Sequence, residues 1–165
     1  MPEKANLERA ARAKRSGKSA STQAGEFVRE EMHHIREGKH GARSTKQAIA
    51  IGLSKARRSG VDLPPPEKGS VSEKTRRSAK RAYQAGQRAK PKKSRRRSQA
   101  TERALKRENR SAASKTALSR HGRSAARKRT KTQRSTAARR AAQTKGRNGR
   151  SAAARKAART RARRR

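Results

Sequence analysis

Large apolar side chains crowd into the first part of this chain, at Phe27, Val28, Met32, Ile35, Ile49, Ile51, Leu53, Val61 and Leu63. Their spacing is helical. Val28, Met32 and Ile35 fall at i, i+4 and i+7, which predicts a helix from about Gly25 to Glu37, ended by Gly38 and Gly41. A further helix is predicted from Ser44, because Ser44-Thr45-Lys46-Gln47 fits a capping box in which the hydroxyl serves the third amide and the Gln reaches back to the cap. Ala48, Ile49, Gly52, Leu53 and Ala56 form its apolar stripe, and Lys55, Arg57 and Arg58 place cations in its last turn. Gly60 is a natural residue for the left-handed position that follows a helix. Val61 and Leu63 then fold back before Pro64-Pro65-Pro66. A short, weakly held helix from Leu7 to Lys14 is interrupted at Ser16-Gly17-Lys18-Ser19. The two better stripes meet as an αα-hairpin packed through Val28, Met32, Ile35, Ile49, Leu53 and Ala56, a core small enough that its stability alone is marginal.

Past the prolines the large apolar residues thin out and Ala, Arg, Lys, Ser, Thr and Gln dominate. A loose phrase returns, a hydroxyl residue, two Ala and then basic residues, beginning at Ser111, Ser124, Thr136 and Ser151. Its spacing is too irregular for a solenoid, and its units have no large apolar side chains with which to stack. Ala, Arg, Lys and Gln favour helix, whereas like charges at i, i+4 oppose it in water. Helices are expected from roughly Glu73 to Lys90, Gln99 to His121, Ser124 to Thr144 and onward from Ser151. Pro91, Gly122 and Gly146-Arg147-Asn148-Gly149 divide them. The expected class is mostly α: a short N-terminal helical hairpin, then a long, partly disordered, Ala/Arg/Lys-rich helical tail without a common core. The organisation reads as a basic segment (1–20), the hairpin module (21–63), a Pro/Gly/Ser linker (64–72) and a cationic low-complexity tail (73–165).

Charge sharpens that division. The chain has 51 Lys+Arg against 11 Asp+Glu, a formal net charge of +40 over 165 residues. Through Leu63 there are 14 basic and 7 acidic residues; the remainder holds 37 basic and 4 acidic, and no acidic residue follows Glu108. With 28% apolar residues, mostly Ala, and only Phe27 and Tyr83 as aromatics, the chain as a whole lacks the burial that offsets backbone entropy of about 1–2 kcal/mol per residue. Cysteine is absent, which excludes disulfides and thiolate metal sites. No apolar run approaches the roughly 20 residues that span a bilayer, and the opening Met1-Pro2-Glu3-Lys4-Ala5-Asn6 leads into charge rather than a signal peptide's apolar core. A cytoplasmic location, at the nucleoid, is expected.

The cations carry the candidate chemistry. Solubility alone does not need so large an excess, and a polyanion releases its condensed counterions when cationic side chains replace them. The residues expected to bind nucleic acid are Arg95, Arg96, Arg97, Arg123, Arg127, Lys128, Arg129, Lys131, Arg134, Arg139, Arg140, Arg147, Arg150, Arg155, Lys156, Arg159, Arg161, Arg163, Arg164 and Arg165. Guanidinium forks onto phosphate oxygens, which positions a protein without reading bases. The scarcity of rings argues against single-strand stacking platforms, so duplex DNA is favoured over RNA.

Other motifs are weaker. Ser78, Ser94, Ser98, Ser124 and Thr136 sit beside basic residues as phosphorylation candidates, although caps and spacers explain them as well. His33, His34 and His40 lie near Glu30, Glu31 and Glu37, and Glu30/His34 and His33/Glu37 share i, i+4 spacing. A polar helix face is the preferred reading, since neither a four-ligand set nor a His-Glu-x-x-His pattern is present. Gly17-Lys18-Ser19 imitates the end of a P-loop but lacks its first glycine and a preceding strand. No catalytic residue, metal or cofactor is expected. The hairpin's stripe serves either a two-helix core or a homodimer.

One stretch is distinctive as a family tag. From Ser21 to Gly41 and on through Lys46-Gln47-Ala48-Ile49-Ala50-Ile51-Gly52-Leu53-Ser54-Lys55-Ala56-Arg57, followed by a Lys/Arg/Ala tail, the chain resembles a family of small basic bacterial proteins usually labelled DNA-binding or plasmid-stabilisation proteins. The tail also looks, in composition, like those of linker histones and bacterial histone-like proteins. The resemblance implies a histone-like, non-enzymatic, DNA-binding role and carries over no catalytic residue. The runner-up expectations are an RNA- or ribosome-associated protein, and a protein-interaction module that the tail localises.

Overall fold

A computed structural model describes residues 3–88 and 94–163; the expected helix end at Lys90, the break at Pro91, and Arg164 and Arg165 lie outside these. Among the described residues the chain is helical, with α1 (Lys4–Arg15), α2 (Ala20–Arg36), α3 (Thr45–Arg58), α4 (Glu73–Gln87), α5 (Arg95–Lys106), a 3₁₀ turn (Arg110–Ala113), α6 (Lys115–Arg127) and α7 (Lys131–Ala162). The mostly-α class is therefore correct. The chain forms two compact units, Met1–His121 and Gly122–Arg165.

In the first unit α2 is the central helix, packed by α1, α3 and the 3₁₀ turn, while α4 lies along α3. The expected α2–α3 hairpin is present, but its single stripe divides into two cores. Met32, Ile35, Ala42, Ala48, Ala112 and Ala113 form one, with Val28, Ile49 and Leu118 against it. Ala10, Ala24, Phe27, Ala56 and Val61 form the other, with Ala20, Leu53 and Leu63. The fold thus recruits elements from both sides of the hairpin. Alanines of the low-complexity region, Ala79 and Ala82 on α4 and Ala112 and Ala113 in the turn, are buried. They bury little area each, but they let helices approach closely. Gly52 does the same where α3 crosses α2: a Cβ there would stand 2.7 Å from the Val28 Cα. Gly86 lies against the Arg57 carbonyl and Gly41 against the Glu108 carbonyl, both too near for any side chain.

Local signals explain the helix ends. After α1, α2 and α3 the chain turns through Gly17, Gly38 and Gly60, with φ of 65°, 78° and 84°, where a Cβ would be strained. Each closes a Schellman motif: Lys18 N–H donates to Ala13 O, Lys39 N–H to His34 O and Val61 N–H to Ala56 O. Helix α2 begins at Ala20, earlier than the apolar spacing suggests, because the Ser19 hydroxyl accepts from Thr22 N–H and Gln23 Nε2 donates to Lys18 O at 2.8 Å. At α3 the Ser44 hydroxyl accepts from Gln47 N–H at 3.2 Å as expected. Gln47 Oε1, however, accepts from Arg43 N–H at 2.8 Å, one residue before the cap. Arg57 is buried rather than simply facing the helix dipole. It donates to Leu63 O and Pro64 O at 3.0 and 3.1 Å and so ties the Pro segment back onto α3. Burial lowers the pKa of its guanidinium from the ordinary value.

The later helices depart from expectation. The helix anticipated from Gln99 to His121 is two helices, α5 and α6, separated by the 3₁₀ turn. Asn109 Oδ1 accepts from Ser111 N–H at 2.7 Å. Thr45 Oγ1 donates to Ala112 O at 2.7 Å and Arg36 Nε to Ala113 O at 2.8 Å, which anchors the turn on α2 and α3. Gly122 does not end a helix; α6 runs through it to Arg127. In the second unit, α7 starts instead at a capping box, with Thr130 Oγ1 accepting from Gln133 N–H and Gln133 Oε1 from Thr130 N–H. It does break at Gly146, where φ is 62°, and Arg150 Nη1 donates to Ala142 O at 2.8 Å across the kink.

Candidate nucleic-acid interface

Acidic and basic residues are arranged differently in different parts of the chain. Around α1–α3 several cations are paired with carboxylates. Glu26 holds Arg9 at 3.1 Å and Arg29 at 2.7 Å, Glu31 holds Lys55 at 2.6 Å, and Lys39 lies 3.1 Å from Glu37 and 3.3 Å from Glu3. These contacts act on titration. Hydrogen bonds from His34 and then Lys39 lower the pKa of the Glu3 carboxyl, and Glu37 and then Glu3 raise that of the Lys39 ammonium. On α4 and α5 the pairing thins to Arg76 with Glu73 and Lys106 with Glu102. The Lys106 hydrogen bond lowers the pKa of Glu102.

After Glu108 there is no side-chain carboxylate to pair with. Residues 122–165 hold 18 of the 51 Lys+Arg. Arg123, Arg127, Lys128, Arg129, Lys131, Arg134, Arg139, Arg140, Arg147, Arg150, Arg155, Lys156, Arg159, Arg161 and Arg163 are all exposed, and α7 buries none of its residues. Lys115, Arg120 and Lys145 are exposed in the same acid-free stretch and belong with them, although they were not singled out from the sequence. Position after Glu108 was the signal that would have found them. Successive residues turn by about 100° around a helix, so Arg139 and Arg140, like Arg155 and Lys156, face different sides. The cations surround α7 instead of forming one stripe.

Arg95, Arg96 and Arg97 occupy a different setting. They form the first turn of α5 behind its cap Ser94 and are exposed. Cations at a helix N-terminus oppose the macrodipole by about 0.3–1 kcal/mol each. An anion bound there would relieve that repulsion and meet free amides as well.

The hairpin residues lie in the interior. Met32, Ile35 and Ala56 are buried, and Val28, Ile49 and Leu53 pack against the two cores. The stripe considered for self-association is covered by this chain's own α1, 3₁₀ turn and α6 residue Leu118. Of the histidine pairs, His34 Nε2 meets Glu3 Oε1 at 2.9 Å, and His40 Nε2 lies 3.3 Å from Glu31 Oε1, a partner that i, i+4 spacing does not indicate. No helix among the described residues is long and apolar enough to cross a membrane.

Residues 12–69 match a protein family described as a family of unknown function (DUF6496). This span runs from the last turns of α1 through α2 and α3 to the proline-rich segment, about a third of the chain, and leaves the cationic helices outside it. The description carries no activity, ligand or partner. No curated protein and no solved structure matches the chain.

Proposed function

We propose that the protein is a non-enzymatic, largely sequence-independent DNA-binding protein of the nucleoid, acting by phosphate neutralisation. The observation that carries this reading is the exposed, acid-free run of α6 and α7, whose cations have no carboxylate side chain of their own segment to pair with. Phosphate is the anion that fits them. It accepts forked guanidinium hydrogen bonds, and replacing its counterions is favourable without any base contact. Cations on all sides of α7 suit bridging, because one helix meets phosphates of more than one duplex. The folded first unit, Met1–His121, carries all 11 acidic residues, so its 33 Lys+Arg are diluted and partly paired, and it gives the protein its individual surface.

Binding of a duplex to the full chain tests this. If 6–10 phosphates are engaged at once, affinity falls about 10³–10⁵-fold between 50 and 200 mM salt. A shallow dependence on salt would sink the proposal. Competition at fixed salt between duplex DNA and a structured RNA decides the substrate class: displacement by DNA at lower concentration is expected, and preferential displacement by RNA overturns the DNA assignment.

A further inference from the structure

The first unit contains a group of side chains that phosphate binding does not use. Glu31 is fully buried on α2, and neither of its carboxylate oxygens receives an aligned hydrogen bond. Lys55 Nζ stands 2.6 Å from Oε2 and balances its charge. The other oxygen, Oε1, faces His40 Nε2 at 3.3 Å. His40 Nδ1 is 3.0 Å from the Gly41 carbonyl, which can only accept, so Nδ1 carries the proton. Nε2 is left directed at a carboxylate oxygen that no aligned hydrogen bond from another residue reaches.

A cation between them resolves this, and a third ligand is at hand. His34 follows Glu31 by three residues on α2, which places both on one face. One ligand atom each from Glu31, His34 and His40 lies within 4.8 Å of the others. The His34 and His40 rings are edge-to-face, 6.2 Å apart. His40 Nδ1 bonds to a backbone carbonyl, the partner that a metal-bound histidine usually gives its second nitrogen, and His34 is held by Glu3 through Nε2. The turn carrying His40 is fixed from outside: Gly41 N–H donates to Leu105 O at 2.8 Å and Ala42 N–H to Asn109 O at 3.0 Å. We propose that Glu31, His34 and His40 form a binding site for a divalent transition-metal ion of the zinc type.

Two imidazoles and one carboxylate are a donor set suited to zinc, whereas magnesium and calcium call for oxygen ligands. The Glu31 Oε1 to His40 Nε2 separation of 3.3 Å is close to the edge of a tetrahedron with metal–ligand bonds of about 2.0–2.1 Å. Glu3 and Glu30 also group with His34 within 4.8 Å. Glu3 is half exposed and already engaged by Lys39, so Glu31 is the committed carboxylate. Water would complete the coordination. The site links α2 to the turn after it and, through that turn, to the end of α5. A bound ion would hold the first unit together independently of any nucleic acid.

The test uses the full chain, freed of nucleic acid in high salt and titrated with cobalt(II). One equivalent should give the visible bands of a four- or five-coordinate ion, and zinc should displace it. His40→Ala, and His40→Gln as a variant that keeps a polar side chain in the turn, should each weaken cobalt binding by about tenfold or more. His33→Ala, at an exposed position on the same helix, should leave it unchanged. Absence of saturable binding would overturn the proposal, as would equal weakening by His33→Ala. So would an NMR spectrum in which His40 Nε2 carries a proton through neutral pH and zinc does not shift it, since an imidazolium–carboxylate pair would then explain the contact. None of these readouts depends on DNA binding.

Discussion

Gly52 and Gly25 are both helical glycines with opposite surroundings. A Cβ at Gly52 meets the Val28 backbone, 2.7 Å from Cα and 3.0 Å from N, whereas one at Gly25 meets nothing within 4 Å. Alanine gains up to about 1 kcal/mol over glycine in a helix interior. Gly25→Ala should therefore stabilise the first unit by that order. Gly52→Ala should destabilise it by about 1–3 kcal/mol, because backbone cannot move aside as a flexible side chain can. Thermal denaturation of the two variants checks the sign of each effect. Tyr83 offers a second test at this scale. Its hydroxyl donates to Asp62 Oδ1 at 2.6 Å, and this hydrogen bond, followed by burial and the charge of Asp62, raises its pKa above the ordinary value. A raised folded pKa means that the bond's contribution is complete below about pH 10, the ordinary tyrosine value, and is lost as pH rises through the raised one. Tyr83 is the chain's single tyrosine, so tyrosinate absorbance reads it alone. Asp62→Asn should move the midpoint down toward about 10.

Elements differ in how well short-range sequence defines them. Helix α3 was legible, since its stripe, its serine cap and Gly60 all agree. The start of α2 was not, because Ser19 seemed part of an interruption while its hydroxyl is a cap. The Thr130–Gln133 box at α7 was present in the sequence and outweighed Gly122, a residue that weakens a helix without ending it. The 3₁₀ turn was illegible for a different reason. Residues Ser111 to Ala113 have good local helix propensity, and the chain leaves the helix there because Ala112 and Ala113 are buried and their carbonyls accept from Thr45 and Arg36. Ala113→Asp should expel this turn by placing a charge at a fully buried position. Amide exchange should rise from Gly41 to Arg43 and from Asn109 to Leu118, while α1 and the Phe27 core remain protected. Uniform loss of protection would show that the turn is not a separable element.

For the molecule as a whole, both apolar cores and every acidic side chain belong to the first unit, and the second carries cations alone. Ending the chain before Gly122 removes 18 cations and no carboxylate side chain. The remaining residues include both apolar cores, Met32 to Leu118 in one and Ala10 to Leu63 in the other. That truncation should retain helical circular dichroism and cooperative melting. It should also lose most duplex affinity, with a flatter dependence on salt. Retention of full affinity would transfer the nucleic-acid function to the first unit, with Arg95–Arg97 as its first candidates.

Composition and periodicity alone determined the helical class, the α2–α3 pairing, its packing residues and the expectation of a polyanionic partner. These depend on residue type and near neighbours: apolar spacing along a helix, cap hydroxyls, and an excess of cations that no folding can neutralise. Tertiary structure alone decided which alanines of the low-complexity region are buried, that one apolar stripe serves two cores, and that His40 meets Glu31. Each is a contact between residues distant in sequence or on separate elements. An alanine looks the same in sequence whether it lies on a solvated cationic helix or beneath Thr45, and only packing distinguishes the two.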